Sequence, residues 1–347
     1  MPVVSPPDAD NAWGDASSVT PDDITGSPDY PGTNVTQSTS TLASALWAPP
    51  ADFADFSSFG IKKFGYGEQN LAFVVGALPI AVPLVSSLVE GEDDKGSSWS
   101  PPSGTMLQVR YPQGSINPGN NPQGGADFYA VPQSLAPALV QASNVTLEYS
   151  VYFPEDFAWA LGGKLPGLYG GHEGCSGGDS AQTCFSTRMM WRPGGAGELY
   201  LYAPRDKQAA GVCQTEPKSV CSEEYGLSLG RGSFTFAAGG WTHIRQTVVL
   251  NTPGVADGSI QIDVNGQKAI SVDGVYYRNP PPSSVKRDAN STTWTPPIVV
   301  FDDPSRTQAV GFTGLFFSTF FGGHTAEYAS PKDQSSYFAD FGMSVNA

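Results

Sequence analysis

Apolar and polar residues alternate with a period of two along most of the chain from about residue 106 onward. The clearest run is Val145 to Phe153, where Val145, Leu147, Tyr149, Val151 and Phe153 share one side. That is the signature of a strand with one buried face. Similar patterns predict strands over Met106–Tyr111, Trp241–Leu250, Ile260–Val264, Gln267–Val272, Gly314–Phe321 and Tyr337–Val345. Asn265-Gly266 lies between two of them and is a strong tight-hairpin pair. Helical periodicity is scarce, and Gly/Pro turns separate the short strands. The pattern predicts an all-β chain folded as a sandwich of two antiparallel sheets, with few short helices.

The first part of the chain reads differently. Residues 1–40 are rich in Ser, Thr, Pro, Asp and Gly, and we expect them to be disordered or extended. Residues 41–347 are expected to form one domain, with 41–103 packing on it as an N-terminal cover. Leu71 to Val89 approaches the length of a membrane span, but it contains Gly76, Pro79, Pro83 and Ser86-Ser87 and lacks basic flanks. Buried strands or an extended cover fit it better. Met1-Pro2-Val3 carries no signal-peptide pattern, and Met1 is read as a start standing in for a removed leader.

Candidate chemistry concentrates between Gly162 and Pro204. Cys184–Arg192 and Glu198–Pro204 flank Pro193-Gly194-Gly195-Ala196-Gly197, which suits a hairpin. A register symmetric about Gly195 would set Arg192 opposite Glu198, Met190 opposite Tyr200 and Arg188 opposite Tyr202. Ser186, Arg188, Tyr200 and Tyr202 then share one face, while Phe185, Met189, Trp191, Leu199 and Leu201 share the other. One face looks like core and the other like a polar floor. Arg192–Glu198 is most simply a cross-strand ion pair of little energetic consequence.

Charge narrows the partners. Acidic residues outnumber basic ones by 33 to 18, a formal −15. Nucleic acid and anionic membrane are therefore unsuited as general partners. A polyanionic substrate would need a local positive patch, and Lys164, Arg188, Arg192, Arg205 and Lys207 cluster near the tyrosines in sequence. Cys175, Cys184, Cys213 and Cys221 have no Cys-x-x-Cys spacing. Their short intervals suggest Cys175–Cys184 and Cys213–Cys221 disulfides, though three pairings are compatible with the sequence. With sequons at Asn34, Asn144 and Asn290, this points to a secreted, extracellular glycoprotein. Three histidines make a histidine-rich metal site a poor reading, so no cofactor or catalytic metal is expected. Asp-rich loops remain compatible with a structural calcium. We expect a monomer.

Several segments are similar to polysaccharide lyase family 14, as found in secreted fungal proteins. They are Gly162 to Gly171, Cys175-Ser176-Gly177-Gly178, Phe185-Ser186-Thr187-Arg188 and Tyr200-Leu201-Tyr202, with Phe320 to Gly323 and Pro331-Lys332-Asp333 near the end. The likeness runs from about residue 104 to the C terminus. The Trp241–Arg245 strand and the Asp257–Gly266 hairpin likewise resemble concanavalin-like jelly rolls. The resemblance implies a β-jelly roll that cleaves a uronic-acid polysaccharide, glucuronan or alginate, by β-elimination. It places functional residues on Lys164, Ser186, Arg188, Tyr200 and Tyr202. Arg188 would neutralise the uronate carboxylate, Tyr202 is the first choice of base, and Tyr200 would be acid or orienter. Lys164 would assist at the carboxylate or be the base itself, and Ser186 would donate a hydrogen bond to the sugar or the carboxylate. The loop Gly171 to Cys184, with His172 and Glu173, departs from the family pattern and bears on subsite specificity.

Around that centre, Arg192, Arg205, His172 and His324 are candidate substrate contacts, whereas His243 reads as structural. A non-catalytic module binding acidic carbohydrate is the first alternative. A glycoside hydrolase is the second, but it needs two carboxylates across a cleft. Glu198 is the only carboxylate beside the floor in this reading, and Arg192 claims it.

Overall fold

Strands that alternate over so much of the chain need a second apolar surface to cover their buried faces, and two stacked sheets supply it. The computed structural model describes residues 45–76, 78, 102, 104–221, 224–281, 308–323 and 325–347. Its strands are β1 (Ala45–Trp47), β2 (Ile61–Tyr66), β3 (Leu71–Val75), β4 (Thr105–Tyr111), β5 (Ala126–Ala130) and β6 (Asn144–Phe153). Then follow β7 (Gly163–Leu165), β8 (Gly167–Gly171), β9 (Cys184–Trp191), β10 (Ala196–Tyr202), β11 (Val220–Cys221) and β12 (Leu227–Thr235). The last are β13 (Gly240–Val249), β14 (Gly258–Val264), β15 (Gln267–Val275), β16 (Phe312–Phe321) and β17 (Gln334–Val345). One four-residue α-helix, α1 (Ala136–Leu139), joins them.

Among the described residues, one sheet has the order β15-β14-β13-β6-β17-β4-β3, with β1 beside β17. The other runs β11-β12-β10-β9-β7-β16-β5-β2, with β8 pairing β16 and β9. Strand pairing within both sheets is antiparallel throughout, giving the expected jelly-roll sandwich. Within the segment expected as a cover, β2 and β3 form sheet edges on β5 and β4, and β1 pairs with the last residues of the interior strand β17. Residues 71–75 of the long apolar run are thus strand, and no helix among the described residues is long and apolar enough to cross a membrane. Residues 1–40 lie outside the described residues.

The core lies between the sheets. Val145, Leu147, Tyr149, Val151 and Phe153 of β6 are fully buried against Phe185, Met189, Trp191, Leu199 and Leu201 of the facing hairpin. Phe128 stacks on Phe317 at 4.5 Å, and Trp191 meets Phe321 at 5.2 Å and Phe153 at 5.7 Å. Buried polar bridges tie the layers together. Thr187 Oγ1 donates to Gln246 Oε1 (2.5 Å), Tyr149 Oη donates to the Pro166 carbonyl (3.1 Å), and Tyr111 Oη joins Thr319 (2.6 Å) and Ser336 (2.8 Å). A polar bridge inside an apolar layer favours one lateral alignment of the sheets, because sliding strands its partners. At the turn between β14 and β15, Asn265 (φ 50°) and Gly266 (φ 80°) are both left-handed, as a tight primed turn requires.

Trp191 fills the centre of this aromatic cluster. Trp191→Ala should therefore cost about 3–5 kcal/mol of stability. Urea unfolding would show the loss as a lower midpoint at an unchanged slope.

Candidate active site

The floor forms on the outer face of the β9–β10 hairpin and the strands beside it. Pro193-Gly194-Gly195 closes the hairpin: Arg192 N–H bonds to the Ala196 carbonyl (2.7 Å), and Gly194 (φ 70°) and Gly195 (φ 81°) take left-handed conformations. Ala196 is already in the ladder, so the turn has three residues rather than five and is centred on Gly194. The register is therefore two residues away from the symmetric expectation. Tyr200 lies opposite Arg188, Tyr202 opposite Ser186, and Glu198 opposite Met190. A shift of two preserves the facing of every side chain. Ser186, Arg188, Tyr200 and Tyr202 do share one face, but the partner of Arg188 is Tyr200 and not Tyr202.

Lys164 reaches the same face from β7, which lies between β9 and β16, opposite Met190 and Phe320. Such a close fit of strands demands a glycine next to it. A Cβ on Gly163 would lie 2.1 Å from the Trp191 ring and 2.4 Å from the Phe320 carbonyl. Lys164 Nζ sits 4.8 Å from the Tyr200 ring centroid and 5.0 Å from that of Phe320. The Tyr200 and Tyr202 rings are 5.7 Å apart, edge to face. The structure thus brings together Lys164, Ser186, Arg188, Tyr200 and Tyr202.

Arg188 is the electrostatic centre. It is 1 % exposed, lies 4.7 Å over the Phe316 ring and 5.9 Å from the Tyr202 ring, and donates one bond, Nη1 to Ser318 Oγ, at 3.3 Å. Its Nε and Nη2 are buried without a hydrogen-bond partner, and among the described residues no carboxylate pairs with it. A guanidinium stays charged in any protein environment, so unmet donors here are costly unless an anion arrives. Burial, more than anything else, holds the Tyr200 hydroxyl well above the usual phenol range. Tyr202 adds to that, and the Arg188 and Arg192 charges oppose it. Tyr200 is therefore a protonated donor at neutral pH.

The remaining expected residues are placed as follows. Arg192 is committed to Glu198 through two parallel bonds of 3.0 and 2.8 Å, and Arg231 adds a third at 2.7 Å. Glu198 is fully buried, so this is an internal ion cluster rather than the cross-strand pair of little consequence expected, and both of these Arg192 bonds go to Glu198. Ser186 Oγ donates to the Cys175 carbonyl (2.8 Å), so its hydrogen serves a neighbouring loop and not the sugar. Arg205 Nη1 holds the Tyr225 carbonyl at 2.8 Å. His172 is exposed, with its ring nitrogens on the Glu173 carbonyl (2.7 Å) and Thr183 Oγ1 (3.1 Å). His324, Asn34 and Asn290 lie outside the described residues. Asn144 is half-buried and bonded to Asn346 Nδ2 (2.8 Å). The disulfides are Cys175–Cys184 and Cys213–Cys221. His172, Asp179 and Cys184 lie within 4.8 Å of one another, but the Cys184 sulfur is in a disulfide and is no metal ligand.

Sequence reasoning missed Phe316 and Ser318, which cradle Arg188 from β16. The signal was there in the period-two run Phe316-x-Ser318-x-Phe320, whose odd polar member faces outward with the aromatics. It read only as an aromatic strand because nothing local links it to Arg188, 130 residues earlier.

Comparison with known proteins fits this geometry. The profile of the family described as polysaccharide lyase 14 matches residues 100–292 and 303–341. The crystal structure of a marine alginate lyase from Aplysia kurodai is 29 % identical, with a TM-score of 0.60 over 88 % of this chain and 99 % of that one. An alginate lyase from a Chlorella virus shares the fold at 22 % identity and a TM-score of 0.53, over 83 % of this chain and 100 % of that one. A curated protein named Exolysin, from Paramecium bursaria Chlorella virus 1, is 28 % identical over 195 residues. That alignment takes in 48 % of this chain and spans 28 % of the length of that relative.

The two buried cationic groups predict opposite outcomes. Glu198→Gln leaves Arg192 and Arg231 without their counter-charge and should destabilise the fold by about 3 kcal/mol. Arg188→Met removes an unpaired buried charge and should leave stability equal to the native protein or raise it by about 1–4 kcal/mol. Chemical denaturation of both variants checks this.

Proposed function

The chain belongs to polysaccharide lyase family 14, and from that premise we propose that it cleaves a uronic-acid polysaccharide, alginate or glucuronan, by β-elimination. The observation that carries the reading is Arg188, a buried guanidinium with two unmet donors on a floor of tyrosines. A uronate carboxylate is the ligand that such a fork fits, since it accepts two parallel bonds and cancels the charge. Cleavage then needs the C5 proton removed and the C4 oxygen expelled. Negative charge builds on the carboxylate as the C5–H bond breaks, so a cation fixed there stabilises the transition state more than the ground state.

The other residues divide the proton work. Tyr202, as the phenolate, is the proposed base; its ring lies 5.9 Å from the Arg188 guanidinium on the same floor. Tyr200, held protonated by burial, donates to the leaving C4 oxygen or orients it. Lys164, over the Tyr200 ring, adds positive charge close to both. Arg188 sits in the cradle of Phe316 and Ser318, and Ser186 secures the loop beside it. The electrons of the C5–H bond form the C4–C5 double bond as the C4–O bond breaks; Tyr202 takes the C5 proton, Tyr200 gives its own to the departing oxygen, and a proton passing from Tyr202 to Tyr200 through solvent resets both. Glu198, the carboxylate a hydrolase reading would draw on first, is bound by two arginines. We also propose that the protein acts outside the cell on an acidic polysaccharide, since its two disulfides suit an oxidising milieu.

The product carries a double bond conjugated to a carboxylate and absorbs in the ultraviolet where the substrate does not. Incubation with glucuronan and with alginate from acid to alkaline pH should raise the absorbance on at least one polymer. Lys164→Ala and Tyr202→Phe should each lower that rate by about 100-fold or more. New reducing ends without absorbance would mean hydrolysis, and binding without either would mean a non-catalytic module.

A further inference from the structure

The loop between β8 and β9 is fastened to the floor at three hydroxyls. Gly174 N–H donates to Tyr129 Oη (2.8 Å), the Cys175 carbonyl accepts from Ser186 Oγ (2.8 Å), and Gly178 N–H donates to Tyr202 Oη (3.2 Å). Gly174 (φ 79°) and Gly178 (φ 90°) both need left-handed backbone to aim those amides. The loop also folds on itself. Ser176 N–H bonds to the Gly174 carbonyl (2.7 Å), and Asp179 N–H bonds to that of Ser176 (3.0 Å). The Cys175–Cys184 disulfide ties Cys175 of the loop to Cys184, which opens the very strand that carries Ser186 and Arg188.

On the lyase reading given above, we propose that this disulfide loop is a positioning element for catalysis, acting through the Gly178 amide on the Tyr202 hydroxyl. A phenol oxygen offers one hydrogen and two in-plane directions. An N–H donated along one of them leaves the hydroxyl hydrogen, or the lone pair that takes a proton, to the other, on the side of Tyr200. Ser186, the cross-strand partner of Tyr202, supports the same geometry through the Cys175 carbonyl, which explains why its hydrogen is spent on a backbone carbonyl. The disulfide closes the segment 175–184 that holds Gly178 and ties it to the first residue of β9. Without it the loop regains the conformational freedom that closure had removed, and the amide no longer has one place. The loop thereby makes the activity dependent on an oxidised Cys175–Cys184 pair.

The test compares uronan cleavage by the native chain, Cys175→Ser/Cys184→Ser, Cys213→Ser/Cys221→Ser and Tyr129→Phe. Losing the first disulfide should lower kcat by about 10- to 100-fold, the scale of a misplaced catalytic group. KM should stay within about threefold, because Arg188 and Lys164 still bind substrate. Dithiothreitol should lower the native kcat to the same level, reoxidation should restore it, and the Cys175→Ser/Cys184→Ser enzyme should show no further loss. The Cys213→Ser/Cys221→Ser enzyme should keep its kcat. If the first double variant does not fold, Tyr129→Phe decides, since it frees one anchor of the loop and leaves the disulfide intact. Its kcat should fall several-fold at constant KM. Native kcat in folded Cys175→Ser/Cys184→Ser, or in Tyr129→Phe where only that variant folds, would overturn the inference and leave the lyase reading standing. A native chain that cleaves no uronan at any pH would overturn the lyase reading itself.

Discussion

A guanidinium cannot give up its proton to escape a dry environment, so a chain that buries one must find it partners or bear the cost. The contrast within this molecule is direct. Arg192 and Arg231 close on Glu198 and form a self-contained ion cluster. Arg188, on the same hairpin, is just as buried and has a single hydroxyl contact and an aromatic face. The first arrangement is what a folded protein uses to satisfy charge. The second leaves two buried donors that no described residue meets, which is the arrangement the proposed uronate carboxylate would complete.

The sandwich supplies the rigidity. The strand bearing Ser186 and Arg188 outward carries Phe185, Met189 and Trp191 inward, and those side chains are locked among the aromatic rings of the core. Between them, Thr187 bridges to Gln246 of the opposite sheet, so the residue next to Arg188 sets the alignment of the two layers. Site and core are two faces of the same strands. Precision in the floor comes from packing behind it, which suits chemistry that depends on placing charge where it will develop.

Much of this was legible in the sequence, for physical reasons that can be stated residue by residue. The alternation of Val145 to Phe153 required one buried face, and all five predicted residues are fully buried. The facing of Ser186, Arg188, Tyr200 and Tyr202 was legible because strand parity depends only on odd and even positions. Their pairing was not, because it depends on whether Ala196 belongs to the turn or to the ladder, and a glycine-rich sequence permits both. The roles of Ser318, Phe316 and Arg231 were also hidden, since contacts between distant strands leave no local spacing. Ser186 shows a subtler limit: the residue was found, but its hydrogen-bond partner is a loop carbonyl that no pattern marks.

The most direct test of the account asks whether the carboxylate is what Arg188 is built for. Calorimetric titration of the inactive Lys164→Ala protein would compare uronan oligosaccharides with the same oligosaccharides after reduction of their carboxyl groups to primary alcohols. The account predicts that the acidic oligosaccharides bind at least about 100-fold more tightly, in keeping with a buried bidentate pair, and that Arg188→Met in the same background abolishes the difference. Equal affinity for the acidic and the reduced oligosaccharides, with or without Arg188, would contradict it.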